Sequence, residues 1–133
     1  QRAWRWGTAL LPLCPCAPTP TSHTHTMVSP QVLSHVKSLI ASRAVFVASK
    51  TYCPYCQRAK RTLFEELHVS PDNVTLLELD TMDGGADVQE ALLELSGQRT
   101  VPNIYIRGEH VGGNDDLQAA KKSGALQKML KGL

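Results

Sequence analysis

A chain of 133 residues with 42% apolar content has room for one domain around one core, and no apolar run nears the roughly 18 residues of a membrane-spanning helix. The net charge of +2 hides an asymmetry: residues 1–64 carry eight Lys and Arg and no Asp or Glu, a net of +8, whereas residues 65–133 carry six against twelve, a net of −6. The basic charges are dispersed and aromatics make up only 5% of the chain, so a nucleic-acid surface, which needs a basic stripe with stacking rings, is not expected.

Residues 1–26 read as a leader outside the fold. Pro12, Pro15, Pro18 and Pro20 interrupt the segment, and each removes a backbone donor that regular structure needs. Two readings stand: an organellar transit peptide, from Arg2, Arg5, the hydroxyl residues and the lack of acids, or a disordered extension ahead of a start at Met27, which is preferred. A secretory signal fits less well, because the apolar stretch over residues 9–13 is short and broken by Pro12. Residues 27–133 read as the domain.

From Met27 the pattern is regular. Ser29-Pro30 predicts a helix start, with Val32, Val36, Leu39 and Ile40 at helical spacing behind it. Residues 44–49 are nearly all apolar, as a strand buried on both faces must be. A helix follows Cys53, with Ala59, Leu63 and Leu67 on one face, and a turn cluster over residues 70–73 leads to a second strand over 76–79. Asp87 and Glu90 form a capping-box-like pair ahead of the periodic Val88, Ala91, Leu92 and Leu95. Ile104-Tyr105-Ile106 and His110-Val111 flank Arg107-Gly108-Glu109 as a hairpin. Asp115 or Asp116 then caps a short helix, and Leu126, Met129 and Leu130 mark a last one. This αβαβαββα(α) order predicts an α/β fold. The strand–helix–strand half must pair in parallel through a right-handed crossover, and the hairpin adds antiparallel strands, giving a mixed four-stranded sheet flanked by helices.

The four cysteines form two close pairs, Cys14-Pro15-Cys16 and Cys53-Pro54-Tyr55-Cys56, and none follows Cys56. A framework of spread disulfides is therefore not expected, and a CxxC at a strand-to-helix junction points to redox chemistry. The free N–H groups and dipole of a helix N-terminus favour an anion at Cys53, and Lys50 adds positive charge, so the thiolate is favoured there. Cys53 is expected to be exposed and to attack, Cys56 to be shielded and to resolve. Ionisation alone explains little. A thiol whose pKa falls from about 8.5 to about 7 gains roughly 16-fold in thiolate and loses about 5-fold in nucleophilicity, a net of about 3-fold. Positioning of the reacting sulfurs must supply the rest. Thr100-Val101-Pro102 is one candidate surface: a cis Pro102 would turn the Val101 backbone toward the cysteines, where an extended peptide could pair with it. Gly112-Gly113-Asn114-Asp115-Asp116 is the other, combining a close-approach Gly pair and a helix N-terminus for a carboxylate with an Asp for an ammonium group.

KTYCPYC, TVPNIYI and GGNDDL, in this order and at these spacings, resemble the dithiol glutaredoxins with a CPYC centre, over about residues 29–131. The resemblance implies a thioredoxin-like fold, glutathione as co-substrate with no tightly bound cofactor, and reduction of protein–glutathione mixed disulfides and protein disulfides. Carried over by motif, Cys53 is the nucleophile and Cys56 the resolving thiol. Lys50 and Tyr55 line the glutathione site, Gln89 contacts the glycine carboxylate, Val101 pairs with the cysteinyl backbone, Pro102 is the cis proline, and Asp115 and Asp116 hold the γ-glutamyl end. Arg99 and Thr100 are further contacts. The implied partners are glutathione and glutathionylated or disulfide-containing proteins, with no nucleic acid or membrane. A monomer in the cytoplasm is expected, or in an organelle if residues 1–26 are a transit peptide. Thioredoxin's WCGPC is missing, and Tyr52 stands where thioredoxins carry Trp.

Two alternatives use the same thiols. The first is a glutathione-ligated iron–sulfur carrier, which soft thiolates allow but the stiffening Pro54 disfavours. The second is a zinc site from Cys14, Cys16, Cys53 and Cys56, which would need the leader to fold back over the reactive cysteines. His35, His68 and His110 are isolated and read as surface or strand-edge residues, and Met129 as a packing residue. His23 and His25, though metal-friendly, lie in the leader.

Overall fold

The computed structural model describes residues 27–133, so the leader and its Cys14, Cys16, His23 and His25 lie outside the described residues. Helix α1 (Pro30–Ser42) starts where the sequence indicates: the Ser29 hydroxyl accepts from the Val32 N–H at 3.3 Å and Pro30 takes the first helical position. Strand β1 (Val45–Ser49) is buried at all five positions. Helix α2 (Pro54–Arg61) runs on into a π-helical turn (Thr62–Glu66), and a 3-10 turn (Pro71–Asn73) feeds strand β2 (Val74–Glu78). Helix α3 (Gly85–Ser96), strands β3 (Asn103–Ile106) and β4 (Glu109–Gly112), and helices α4 (Asn114–Lys122) and α5 (Ala125–Met129) complete the chain.

The strands lie in the order β2-β1-β3-β4, with β1 parallel to β2 and the other pairs antiparallel. This is the expected mixed sheet. Alternation along β1 explains why every position is apolar or small. Val45 and Val47 pack on one side with Ala59 of α2, Leu63, Leu117 of α4 and Leu126 of α5. Phe46 and Ala48 pack on the other with Val36 and Ile40 of α1 and Val88, Ala91 and Leu92 of α3. With helices on both faces, the centre of the sheet has no solvent side. Phe46 meets Tyr105 edge-on, with ring centroids 5.9 Å apart.

Three local expectations are corrected. Strand β2 begins two residues earlier than predicted, because Val74 leaves the 3-10 turn directly opposite Val45; Leu79 lies past its end but still donates to the Ser49 carbonyl at 2.8 Å. Asp87 and Glu90 form no capping box. Helix α3 starts at Gly85, entered through Gly84 at φ +70°, and a Cβ on Gly85 would lie 1.9 Å from the Leu79 carbonyl oxygen. The close approach of helix and strand sets that helix start, and Glu90 pairs with Arg99 instead. Helix α4 has Gly113, not an Asp, at its N-cap position. Asp116, one turn inside, reaches back so that its carboxylate accepts from the Gly113 N–H at 3.1 Å.

Candidate functional site

The sheet delivers the two cysteines to different depths. Cys53 occupies the N-cap position of α2 in extended conformation (φ −84°, ψ 119°), and Pro54 follows at the first helical position. No side chain caps this helix end and no acid stands in its first turn, so its free N–H groups remain available to an anion. Cys53 is half-buried, its Sγ 3.9 Å from the Val101 carbonyl oxygen. Cys56 is fully buried, and both thiols are free. Burial pushes the Cys56 thiol up, and the neighbouring Cys53 adds in the same direction against the pull of the Lys50 backbone and the Ser49 hydroxyl. The expected division into an accessible and a shielded thiol is the one observed.

The loop that carries Cys53 is pinned from the turn that follows β2. Asp80 accepts from both the Thr51 N–H, at 3.0 Å, and the Thr51 hydroxyl, while Gln57 Nε2 donates to the Thr51 carbonyl at 2.9 Å. The bond from the Thr51 hydroxyl holds the Asp80 carboxyl below its usual range, with the Thr51 N–H and Lys50 acting in the same sense. Nothing local in the sequence signals this clamp, since Thr51 and Asp80 are 29 positions apart.

Two open hollows meet at Thr100 and Val101. One, of about 460 Å³, includes Lys50, Tyr52, Cys53, Gln89 and Arg99. The other, of about 430 Å³, includes Tyr55, Gln98, Pro102, Asn114, Asp115 and Asp116. Together they form one groove with the Val101 backbone at its waist, basic at one end and acidic at the other. The Val101–Pro102 bond is cis, as expected, and Pro102 stands just ahead of β3 rather than within it. Every residue assigned to the site from sequence therefore lines this groove, apart from Cys56, which is fully buried. Two of them carry structural duties as well: Gln89 Nε2 donates to the Arg99 carbonyl at 2.7 Å, and Asp116 fixes Gly113.

Among the lining residues, sequence reasoning gave no role to Tyr52, Pro54 or Gln98, and to Asn114 only its place in the GGNDD run. Gln98 Nε2 donates to the carbonyls of Pro102 at 2.9 Å and Thr100 at 3.1 Å, bracing the waist from behind. Asn114 is 4% exposed and its Nδ2 has no partner among the described residues. Its place inside GGNDD was the available signal. Among the described residues no three His, Cys, Asp or Glu side chains cluster as a metal site, and no helix is long and apolar enough to cross a membrane. The four-cysteine zinc reading involves residues outside those described.

Comparison with known proteins agrees with this geometry. The glutaredoxin family model matches residues 45–111. Glutaredoxin-1 of Saccharomyces cerevisiae is 57% identical over 105 residues, 79% of this chain and 96% of that protein. Wheat glutaredoxin superposes with a TM-score of 0.70 at 45% identity, covering 77% of this chain and 91% of its own. A buckwheat glutaredoxin–glutathione complex gives 0.69 at 41% identity, covering 75% and 87%. A thioredoxin-like sheet that brings a CPYC thiol pair to a groove around Val101, together with these matches, places the chain in the glutaredoxin family of thiol oxidoreductases.

Proposed function

We propose that the protein is a dithiol, glutathione-dependent oxidoreductase that reduces protein–glutathione mixed disulfides and protein disulfides. The observation that carries this reading is the position of Cys53 Sγ, 3.9 Å from the Val101 carbonyl, between a basic and an acidic hollow. Glutathione is a short extended peptide with a carboxylate at its glycine end and both an ammonium and a carboxylate at its γ-glutamyl end. Lys50, Gln89 and Arg99 suit the glycine carboxylate. Asp115 and Asp116 suit the ammonium, and the start of α4 suits the second carboxylate. The N–H of Val101 makes no hydrogen bond among the described residues, so it and the Val101 carbonyl are available to the cysteinyl backbone as in strand addition. That a buckwheat relative was crystallised with glutathione supports the same substrate here.

In the first step the Cys53 thiolate attacks the glutathionyl sulfur. The protein–glutathione S–S bond breaks, the protein leaves as a thiolate, and a Cys53–glutathione disulfide forms. A second glutathione thiolate attacks that disulfide and departs as glutathione disulfide, returning Cys53 as a thiolate. With a protein disulfide, Cys53 opens the bond and Cys56 attacks Cys53, passing its proton to the departing thiol. Two glutathiones then reduce the Cys53–Cys56 bond. Burial keeps Cys56 protonated until it is needed, so the first thiol has time to react.

Turnover with a glutathionylated substrate and with a disulfide-bonded protein substrate tests the assignment. Cys53→Ser is expected to lose both activities by at least about 1,000-fold. Cys56→Ser is expected to lose reduction of the protein disulfide and to keep glutathione-dependent deglutathionylation. Activity surviving in Cys53→Ser would overturn the reading.

A further inference from the structure

Ser49 ends strand β1 directly beneath the reactive cysteines. Side chains two apart on a strand share a face, and Val45 and Val47 face Ala59 and Leu63. Ser49 continues that row. On the helix, Cys56, Ala59 and Leu63 fall at i, i+3 and i+7 and line the facing side. The last rung of this ladder therefore sets Ser49 against Cys56. Both residues are 0% exposed. The Ser49 main chain is fixed by the Leu79 N–H, but its hydroxyl has no hydrogen-bond partner among the described residues. An orphaned hydroxyl in a core costs stability, and Ala would fill this place without that cost.

We propose that Ser49 is a positioning residue for the resolving thiol, its hydroxyl donating to the Cys56 sulfur once that sulfur is a thiolate. The inference rests on the dithiol reading above. In the step concerned, the Cys56 thiolate attacks Cys53 of the Cys53–glutathione disulfide. The Cys53–Cys56 bond forms, the bond to glutathione breaks, and glutathione leaves as a thiolate that takes up the proton Cys56 lost. Ser49 keeps its own proton throughout. A charged sulfur is the acceptor that the hydroxyl lacks in the resting state, and charge-assisted bonds are the stronger kind. Around Cys56 the titratable neighbour is Cys53, and the Lys50 backbone and the Ser49 hydroxyl are the polar groups that favour its charged form.

The test loads the full chain with glutathione disulfide and follows glutathione release and Cys53–Cys56 disulfide formation by rapid acid quench, from about pH 6 to about pH 10. Ser49→Ala is expected to slow the step about 10-fold at neutral pH and to move the midpoint of its pH profile up by about one unit. Ser49→Thr, which restores the hydroxyl, should recover most of the loss. Alkylation of Cys56 in a Cys53→Ser background should show the same upward shift on Ser49→Ala. The thermal midpoint of Ser49→Ala should not fall, because the change removes an unpaired buried hydroxyl. An unchanged rate and pH profile in Ser49→Ala overturns the proposal. So does a slower step with an unmoved midpoint and a lowered thermal midpoint, which is the signature of packing. If the unsubstituted protein forms no Cys53–Cys56 disulfide at all, the dithiol reading itself falls and this proposal with it.

Discussion

The two ends of the groove are built by different means. The acidic end is one continuous run, residues 112–116, whose shape is set by its own hydrogen bond from Gly113 to Asp116. The basic end is assembled from Lys50 after β1, Gln89 on α3 and Arg99 in the loop before β3. Arg99 is exposed and already paired with Glu90. The acidic end is thus a fixed backbone shape with charges attached, and the basic end a set of charges on side chains that can swing. Damage to the first should appear in stability as well as binding, and damage to the second mainly in binding.

The sharpest way to break this contrast is Gly112→Ala. Gly112 has φ +117°, a conformation that L side chains rarely adopt, and an added Cβ would lie 2.3 Å from Asp116 Oδ2. The carboxylate would have to turn away and release Gly113. A loss of about 2–3 kcal/mol is expected in denaturant unfolding, with a rise in KM for glutathione of roughly 10-fold or more. An unchanged unfolding midpoint would show that the acidic end is not held by its backbone.

The two aspartates separate shape from charge at that same end. Asp116→Ala should cost about 1 kcal/mol, the usual worth of a carboxylate bound to a helix-end N–H, and should raise KM. Asp115 is exposed, so Asp115→Ala should leave stability within about 0.5 kcal/mol while also raising KM. At the basic end, Arg99→Ala removes an exposed ion pair and should change stability by no more than about 1 kcal/mol. Paired unfolding and KM measurements on the three variants test the distinction. Equal stability losses for Asp115→Ala and Asp116→Ala would erase it.

What the sequence made legible follows the same division. The local settings of Cys53, Cys56, Pro102 and the GGNDD run were readable because each depends on near neighbours: a helix start, a turn, a close-approach glycine pair. The mixed sheet was readable because a strand–helix–strand half pairs in parallel and a hairpin adds antiparallel strands, and β1, apolar but for Ser49, reads as a strand buried on both faces. The start of α3 was misread at Asp87 and Glu90. Their spacing satisfies a local capping rule, but contact between Gly85 and the Leu79 carbonyl decides where the helix begins. The Thr51–Asp80 clamp and the brace from Gln98 were invisible because each joins groups brought together only by the fold. Ser49 lay within reach of sequence reasoning, since alternation along β1 and helical spacing from Cys56 already set the two facing each other.

The smallest expected effect is a pH dependence behind the acidic end. His110 on β4 packs against Tyr105 with the rings tilted at 52° and their centroids 4.9 Å apart, and its Nε2 lies 3.0 Å from Asn103 Oδ1. The Asn103 amide is itself held by Ser96 and the Gln98 carbonyl, so this contact is linked to the waist of the groove. His110 is exposed at the sheet edge, but partial desolvation against its neighbours lowers its pKa, and the Asp116 charge opposes the shift. The folded protein therefore prefers neutral His110. As pH falls below the ordinary His value of about 6.5, the unfolded chain takes up a proton that the folded chain resists, and stability drops until the folded value is passed. Asp80 acts in a lower window: its depressed carboxyl contributes stability above the usual Asp value, and that contribution disappears as pH falls through its folded one. Thermal midpoints measured from about pH 7 down to about pH 5 should decline by at most about 3 °C on account of His110, and His110→Gln should flatten that slope. Asp116→Ala should steepen it, because the charge that opposes the shift is then gone. A slope that His110→Gln leaves untouched would place the titrating group elsewhere and detach β4 from the electrostatics of the acidic end.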